Sequence, residues 1–223
     1  MRLEASLLNS TGAAGRLSTL LAALLALAAL FGLAIQFGLQ LGYTPGPWVA
    51  LWVLLRFFTI MANALIVVVF ARAVFSPISP IVLNGAILFT QLVGVVYLTM
   101  LRNQAPETGW DSVANALLHY ATPLLALLYW LTCAPRGGLS WRAPLLWTSV
   151  TIAYAAYVFT RAAVDGKYPY PFYDVPRLGL GQVLANCLII GVGFTLSGFA
   201  LVALDKKLAA KSRRETPAPK APF

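Results

Sequence analysis

The chain has 223 residues, of which 60% are hydrophobic and only 10% charged, where a soluble domain carries about 25% charged. So few polar groups cannot cover a water-facing surface. This excludes a soluble enzyme and a disordered chain, and leaves a multi-span membrane protein. The net charge of +9 is not a nucleic-acid signal. Six of the sixteen Lys/Arg (Lys206, Lys207, Lys211, Arg213, Arg214 and Lys220) lie in the last eighteen residues. That is a juxtamembrane basic segment, which reports topology and attracts anionic lipid. Cys133 and Cys187 both lie in apolar stretches, with no CxxC and no disulfide framework.

Six apolar stretches are each long enough to cross about 30 Å of hydrocarbon at 1.5 Å per residue. They are residues 17–39, 48–71, 81–101, 112–133, 144–160 and 178–204. Only Arg56 puts a formal charge inside one of them. Lipid offers no partner to an open backbone group, so the spans are expected to be helices. The predicted fold is an all-α integral membrane bundle of six transmembrane helices within residues 1–208. Residues 209–223, basic and rich in Pro, Ala and Lys, are predicted to form a disordered tail.

Lys/Arg placement sets the expected orientation. With the N-terminus inside, eleven of the sixteen fall on the inner side. Four (Arg102, Arg161, Lys167 and Arg177) fall in outer loops. Both termini are therefore expected in the cytoplasm. The first stretch is read as a true span, because its apolar run exceeds the h-region of a signal peptide.

Polar residues inside spans usually face the bundle and often mark a site. Arg56, Thr59 and Asn63 share one face of the second span, at i, i+3 and i+7. Ser112, Asn115, His119 and Thr122 do so in the fourth. Asn84 and Gln91 lie in the third, Tyr154, Tyr157 and Arg161 in or at the end of the fifth, and Gln182 and Asn186 in the sixth. Counting inward, Thr59 lies about 16 Å along its helix and His119 about 12 Å along its own. The two would share a depth if their helices are neighbours, and Asn186 falls near the same level. His119 is the only histidine, and the only side chain suited as a base near neutral pH. A lone histidine between helices equally serves as a hydrogen-bonding tie. A membrane threonine commonly bonds its own i−4 carbonyl. Asn63, Gln91, Asn115 and Asn186 fit helix-to-helix hydrogen bonding. One histidine cannot form bis-His haem ligation or a His-rich metal site. No metal and no cofactor is expected. Thr195-Leu196-Ser197-Gly198 lacks the first glycine of a GxSG motif, and no Walker or GxGxxG pattern occurs.

Three segments carry a family likeness. They are Arg56-Phe57-Phe58-Thr59, His119-Tyr120-Ala121-Thr122-Pro123 followed by Trp130, and Tyr168-Pro169-Tyr170-Pro171-Phe172-Tyr173-Asp174. With six spans, the chain resembles the androgen-induced-protein family and its bacterial branch, the Pr-six-Pr membrane proteins. Animal members of that family are intramembrane hydrolases that cleave fatty acid esters of hydroxy fatty acids. The resemblance implies that Thr59 is the nucleophile, that His119 is the base, and that Arg56 matches the family's basic residue three before the threonine. A threonine hydroxyl needs such a base. The imidazole would be oriented by Asn115 or Asn186, or by Asp174 if its loop folds inward. Arg56 or an amide side chain would hold the oxyanion or a substrate carboxylate. The 168–174 loop is either a lid or an interfacial anchor.

The reading is therefore a multi-pass, bacterial-type cell-membrane protein whose partners are membrane lipids and a hydrophobic ester substrate, with no nucleic acid. A different reading keeps the same polar residues for lipid or small-molecule binding, or for transport. A third is a purely structural membrane protein.

Overall fold

The structure, a computed structural model, describes residues 2–103 and 108–215, with side chains from Gly15 to Arg214. All regular structure among them is helical. Six helices are long and apolar enough to cross a membrane: Gly15–Leu41, Phe58–Phe75, Pro80–Leu101, Trp110–Thr132, Ala143–Asp165 and Leu180–Arg214. This is the architecture of a multi-pass membrane protein. The chain divides into two compact units, Met1–Ala134 and Pro135–Phe223.

The first unit is built from α1 (Arg2–Leu41), α2 (Pro47–Leu54), α3 (Phe58–Phe75), α4 (Pro80–Val96), α5 (Trp110–Ala116) and α6 (Thr122–Thr132). A π turn, Tyr97–Leu101, extends α4. A second, Leu117–Ala121, joins α5 to α6. α1 packs along α3 and against α5 and α6, while α4 lies between α3 and α6. Small residues permit the approach of α1: Ala22, Ala26 and Ala29 are buried on one face, at helical spacing. Gly32 continues that face. A Cβ there would stand 2.7 Å from Leu118 Cδ2. Leu54, Ile60 and Leu118 form a buried apolar cluster, with Leu33, Phe37 and Phe57 against it.

The second stretch, expected as one helix over 48–71, is two. It breaks at Leu55–Phe57, with Phe57 extended at φ −90°, ψ 127°. α3 therefore begins at Phe58 and puts Thr59 in its first turn. No proline or glycine marks the break.

The second unit is formed by α7 (Ala143–Asp165), a 3-10 turn (Pro171–Tyr173), α8 (Val175–Leu178) and α9 (Leu180–Glu215). α7 packs along α9, with Thr148 and Thr195 hydroxyls bonded across the pair at 2.8 Å. The fifth span is six residues longer than 144–160, and Arg161 lies inside α7 rather than in a loop. Its Nη1 donates to Tyr157 Oη one turn back, at 2.7 Å, so the charge is met without leaving the helix. α9 continues through 209–215, seven residues predicted as irregular tail; the rest of that tail, 216–223, lies outside the described residues. At 36 residues it is about 54 Å long, well beyond a bilayer core of about 30 Å. Its basic last turns therefore project past the hydrocarbon. The Gly137 N–H donates to the Asp205 carboxylate at 3.0 Å, which pins the loop before α7 onto α9. Burial lowers the Arg136 guanidinium in that loop, and Asp205 partly opposes the shift.

Candidate active site

Thr59 and His119, sixty residues apart, meet in the first unit. Thr59 Oγ1 lies 3.3 Å from His119 Nε2. The threonine is buried and the histidine half-buried. A shared depth requires neighbouring helices, and the packing of α3 near the second π turn brings the two residues together. This is the hydroxyl–imidazole arrangement that nucleophilic catalysis uses, at the long end of a hydrogen bond.

Pro123 explains the backbone that carries His119. A proline inside a helix has no N–H to give. The chain adopts an i→i+5 register instead, in which the Thr122 N–H donates to the Leu117 carbonyl. The Thr122 hydroxyl reinforces that carbonyl at 2.8 Å. In this register the Leu118 carbonyl would be served by the nitrogen of residue 123, and that nitrogen has no hydrogen. Asn63 fills the gap. Its Nδ2 donates to the Leu118 carbonyl at 3.3 Å and to the Thr59 carbonyl at 2.9 Å. Gln91 Nε2 donates to the Pro123 carbonyl at 2.8 Å. Asn63 and Gln91, both anticipated near the site, thus brace the backbone around it. Asn63 Oδ1 is buried without a partner.

Asn115 does not bond the imidazole through its side chain. Its Nδ2 donates to Tyr97 Oη at 2.6 Å. Tyr97 in turn stacks on the His119 ring, with centroids 4.3 Å apart and planes 29° from parallel. His119 Nδ1 is buried with no hydrogen-bond partner among the described residues. α4 can approach this closely because residue 94 is glycine. A Cβ on Gly94 would press on the Pro123 ring at 3.1 Å. Arg56 is buried in the break before α3, three residues ahead of Thr59 and at the positive end of that helix's dipole.

No family model, curated protein or solved structure matches the chain.

Asp174 and Asn186 are committed within the second unit. Asp174 Oδ1 accepts the Arg177 N–H at the start of α8, at 3.2 Å. Asn186 Nδ2 donates to the Phe172 carbonyl at 3.0 Å, while its Oδ1 accepts from Gln182 Nε2 at 3.0 Å. The 168–174 loop is a cluster of rings. Phe172 and Tyr173 meet at 4.8 Å, Tyr170 and Phe172 stack at 5.0 Å, and Phe159 of α7 lies 5.5 Å from Tyr173. Burial, then Cys187 and Tyr170 nearby, pushes the Tyr173 phenol up. Tyr97 is the site residue that sequence reasoning missed. The polar set of the third span is Asn84 and Gln91, and the stack on His119 is what distinguishes Tyr97.

Proposed function

We propose that this multi-pass membrane protein is an intramembrane threonine hydrolase of lipid esters, and a member of the androgen-induced-protein family's bacterial branch. The observation that carries the reading is the 3.3 Å approach of Thr59 Oγ1 to His119 Nε2 inside the helical bundle. The three family-like segments support it. In this reading the His119 Nε2 takes the Thr59 proton as Oγ1 attacks the ester carbonyl. The tetrahedral oxyanion is stabilised by Arg56 and the positive end of α3. Its collapse breaks the bond to the leaving oxygen, which receives the proton from His119 as the alcohol departs. Water, deprotonated by the same imidazole, then cleaves the acyl-threonine to release the acid and restore the hydroxyl. The ester enters laterally from the acyl region, as suits a hydrophobic substrate of the class formed by fatty acids and hydroxy fatty acids. The basic α9 end marks the cytoplasmic face of the cell membrane, with both termini there.

The test uses purified protein in detergent, a lipophilic hydrolase probe and a fluorogenic fatty-acid ester. Wild type is expected to label and turn over. Thr59→Ala and His119→Ala, each folded and monodisperse, are expected to lose at least about a hundredfold in turnover. Folded wild-type protein that neither labels nor turns over across an ester panel defeats the hydrolase reading and leaves lipid binding or transport.

A further inference from the structure

We propose that Tyr97 is the positioning residue for the His119 imidazole, with Asn115 as its anchor; this deepens, and rests on, the hydrolase reading of the Thr59–His119 pair. An imidazole hung on two torsions can turn its ring plane and can flip end for end. Either motion takes Nε2 away from the threonine oxygen. A base contributes only while its nitrogen points at the proton it must remove. The ring plane therefore has to be fixed by something other than the Thr59 contact itself.

The face of Tyr97 does this. It lies 4.3 Å from the imidazole centroid and 29° from parallel, so a turned ring would strike the phenol. Tyr97 is itself held on three sides. Its ring is buried. Tyr120 meets it edge-on at 5.4 Å. Its hydroxyl oxygen accepts the Asn115 amide at 2.6 Å. The anchor sits one helical turn before His119 on the same helix, so a shift of α4 against the His119 helix is resisted at the phenol. The backbone is shaped to match. Tyr97 opens one π turn and His119 sits in the middle of the other. Gly94 lets the two helices close to within a ring stack of each other. No direct bond from the Asn115 side chain to the imidazole is needed for this amide to control the ring.

The test uses the fact that His119 is the only histidine. Protein labelled with nitrogen-15 at histidine gives one imidazole, and its two nitrogens report ring order and tautomer with no substrate present. The full chain in detergent or lipid is used, with turnover of a fluorogenic fatty-acid ester read in parallel. In wild type the two nitrogens are expected as separate resonances of one ordered ring. Tyr97→Leu is expected to merge or broaden them, and to lower kcat by about tenfold or more at little-changed KM. Tyr97→Phe keeps the stack and is expected to restore most of both. Asn115→Leu removes the anchor alone and is expected to fall between. Should Tyr97→Leu fail to fold, Asn115→Leu carries the test: wild-type resonances and kcat in that variant overturn the proposal. A folded Tyr97→Leu protein with wild-type imidazole resonances overturns it as well. If the resonances move as expected but wild type shows no turnover, the positioning role stands and the hydrolase reading falls.

Discussion

Residues up to Ala134 hold a helix broken at Leu55–Phe57 and two π turns, whereas α7 and α9 of the second unit run 23 and 36 residues without interruption. An interrupted helix in a membrane exposes carbonyls that lipid cannot satisfy, so each interruption must be served by side chains or by a local change of backbone register. Around the second π turn Asn63, Gln91 and Thr122 provide that service. At the first, the Thr99 hydroxyl donates to the Val95 carbonyl at 2.7 Å. The break before α3 keeps backbone bonds from Arg56 and Phe57 to the Val53 and Leu54 carbonyls. Every interruption also falls beside the Thr59–His119 contact. Thr59 follows the break, His119 sits inside one π turn and Tyr97 opens the other. The second unit pairs its polar groups differently, helix to helix through Thr148 and Thr195 or helix to loop through Asp205 and Asn186. The irregular backbone coincides with the Thr59–His119 contact, in line with the frequent placement of π turns at functional sites.

The sharpest way to break that comparison is to make the first unit regular. Pro123→Ala supplies the missing N–H and gains as much as about 3 kcal/mol of intrinsic helix preference, offset by lost packing of the ring on Gly94. Closing the π turn into an α turn removes one residue of extra winding. It rotates what precedes it by about 100° relative to α6, because one residue is worth that angle. His119 lies in the rotated part. The expected outcome is a melting temperature unchanged or raised, with ester turnover down at least about tenfold. Thermal unfolding in detergent and the fluorogenic assay measure the two sides. Unaltered turnover in a variant at least as stable would show that the proline does not aim the imidazole.

A second comparison sets the two kinds of polar contact against each other. Asn63→Leu strands the Leu118 carbonyl in a fully buried place, at a cost of about 1–3 kcal/mol. Part of this is returned, since the replaced Asn63 Oδ1 has no partner, and a net loss of about 1 kcal/mol is expected. Thr148→Val in the second unit removes one interhelical hydroxyl contact, typically worth about 0.6 kcal/mol in a membrane. Thr195 keeps its bond to the Gly191 carbonyl at 2.7 Å. Unfolding titrations of both variants should rank Asn63→Leu as the more damaging. The reverse order would mean that the π turn does not depend on its side-chain brace.

The two units also differ in how openly their sequences announced them. Spans are legible because runs of apolar residues cannot be anything else in a chain with so little charge. Residue counting gives Thr59 and His119 only a similar depth, and only for neighbouring helices and an unbroken second span; their pairing as nucleophile and base comes from the family resemblance. Three features were not legible. The break before Phe58 lies in Leu-Leu-Arg-Phe-Phe, with neither proline nor glycine to mark it. Arg161 reads in sequence as a loop charge that ends the fifth span at 160, whereas its bond to Tyr157 lets the helix run on to Asp165. Tyr97 and Asn115 are eighteen residues apart on different helices, and no spacing rule within one helix pairs them. Asn115, Asn186 and Asp174 looked equivalent as partners for the imidazole because sequence has no helix order. Packing separates them: Asn115 reaches the ring through Tyr97, and the other two bond within their own unit.

The smallest predicted effect concerns the aromatic loop of the second unit, and it is one of pH. Burial holds the Tyr173 phenol above its ordinary value, with Cys187 and Tyr170 adding to the shift. An unfolded tyrosine ionises near pH 10, while the folded one keeps its proton to higher pH. Above about pH 10 the unfolded chain therefore binds fewer protons than the folded one, and stability falls as pH rises. Below that value both states are protonated and the group contributes no pH dependence. Tyr173→Phe cannot ionise in either state. Its melting temperature relative to wild type should be flat up to about pH 10 and then rise. A difference that stays level through the alkaline range would show that the loop opens to solvent and that its rings do not exclude water from the phenol. The clustered rings would then act as an interfacial anchor whose members reach water singly.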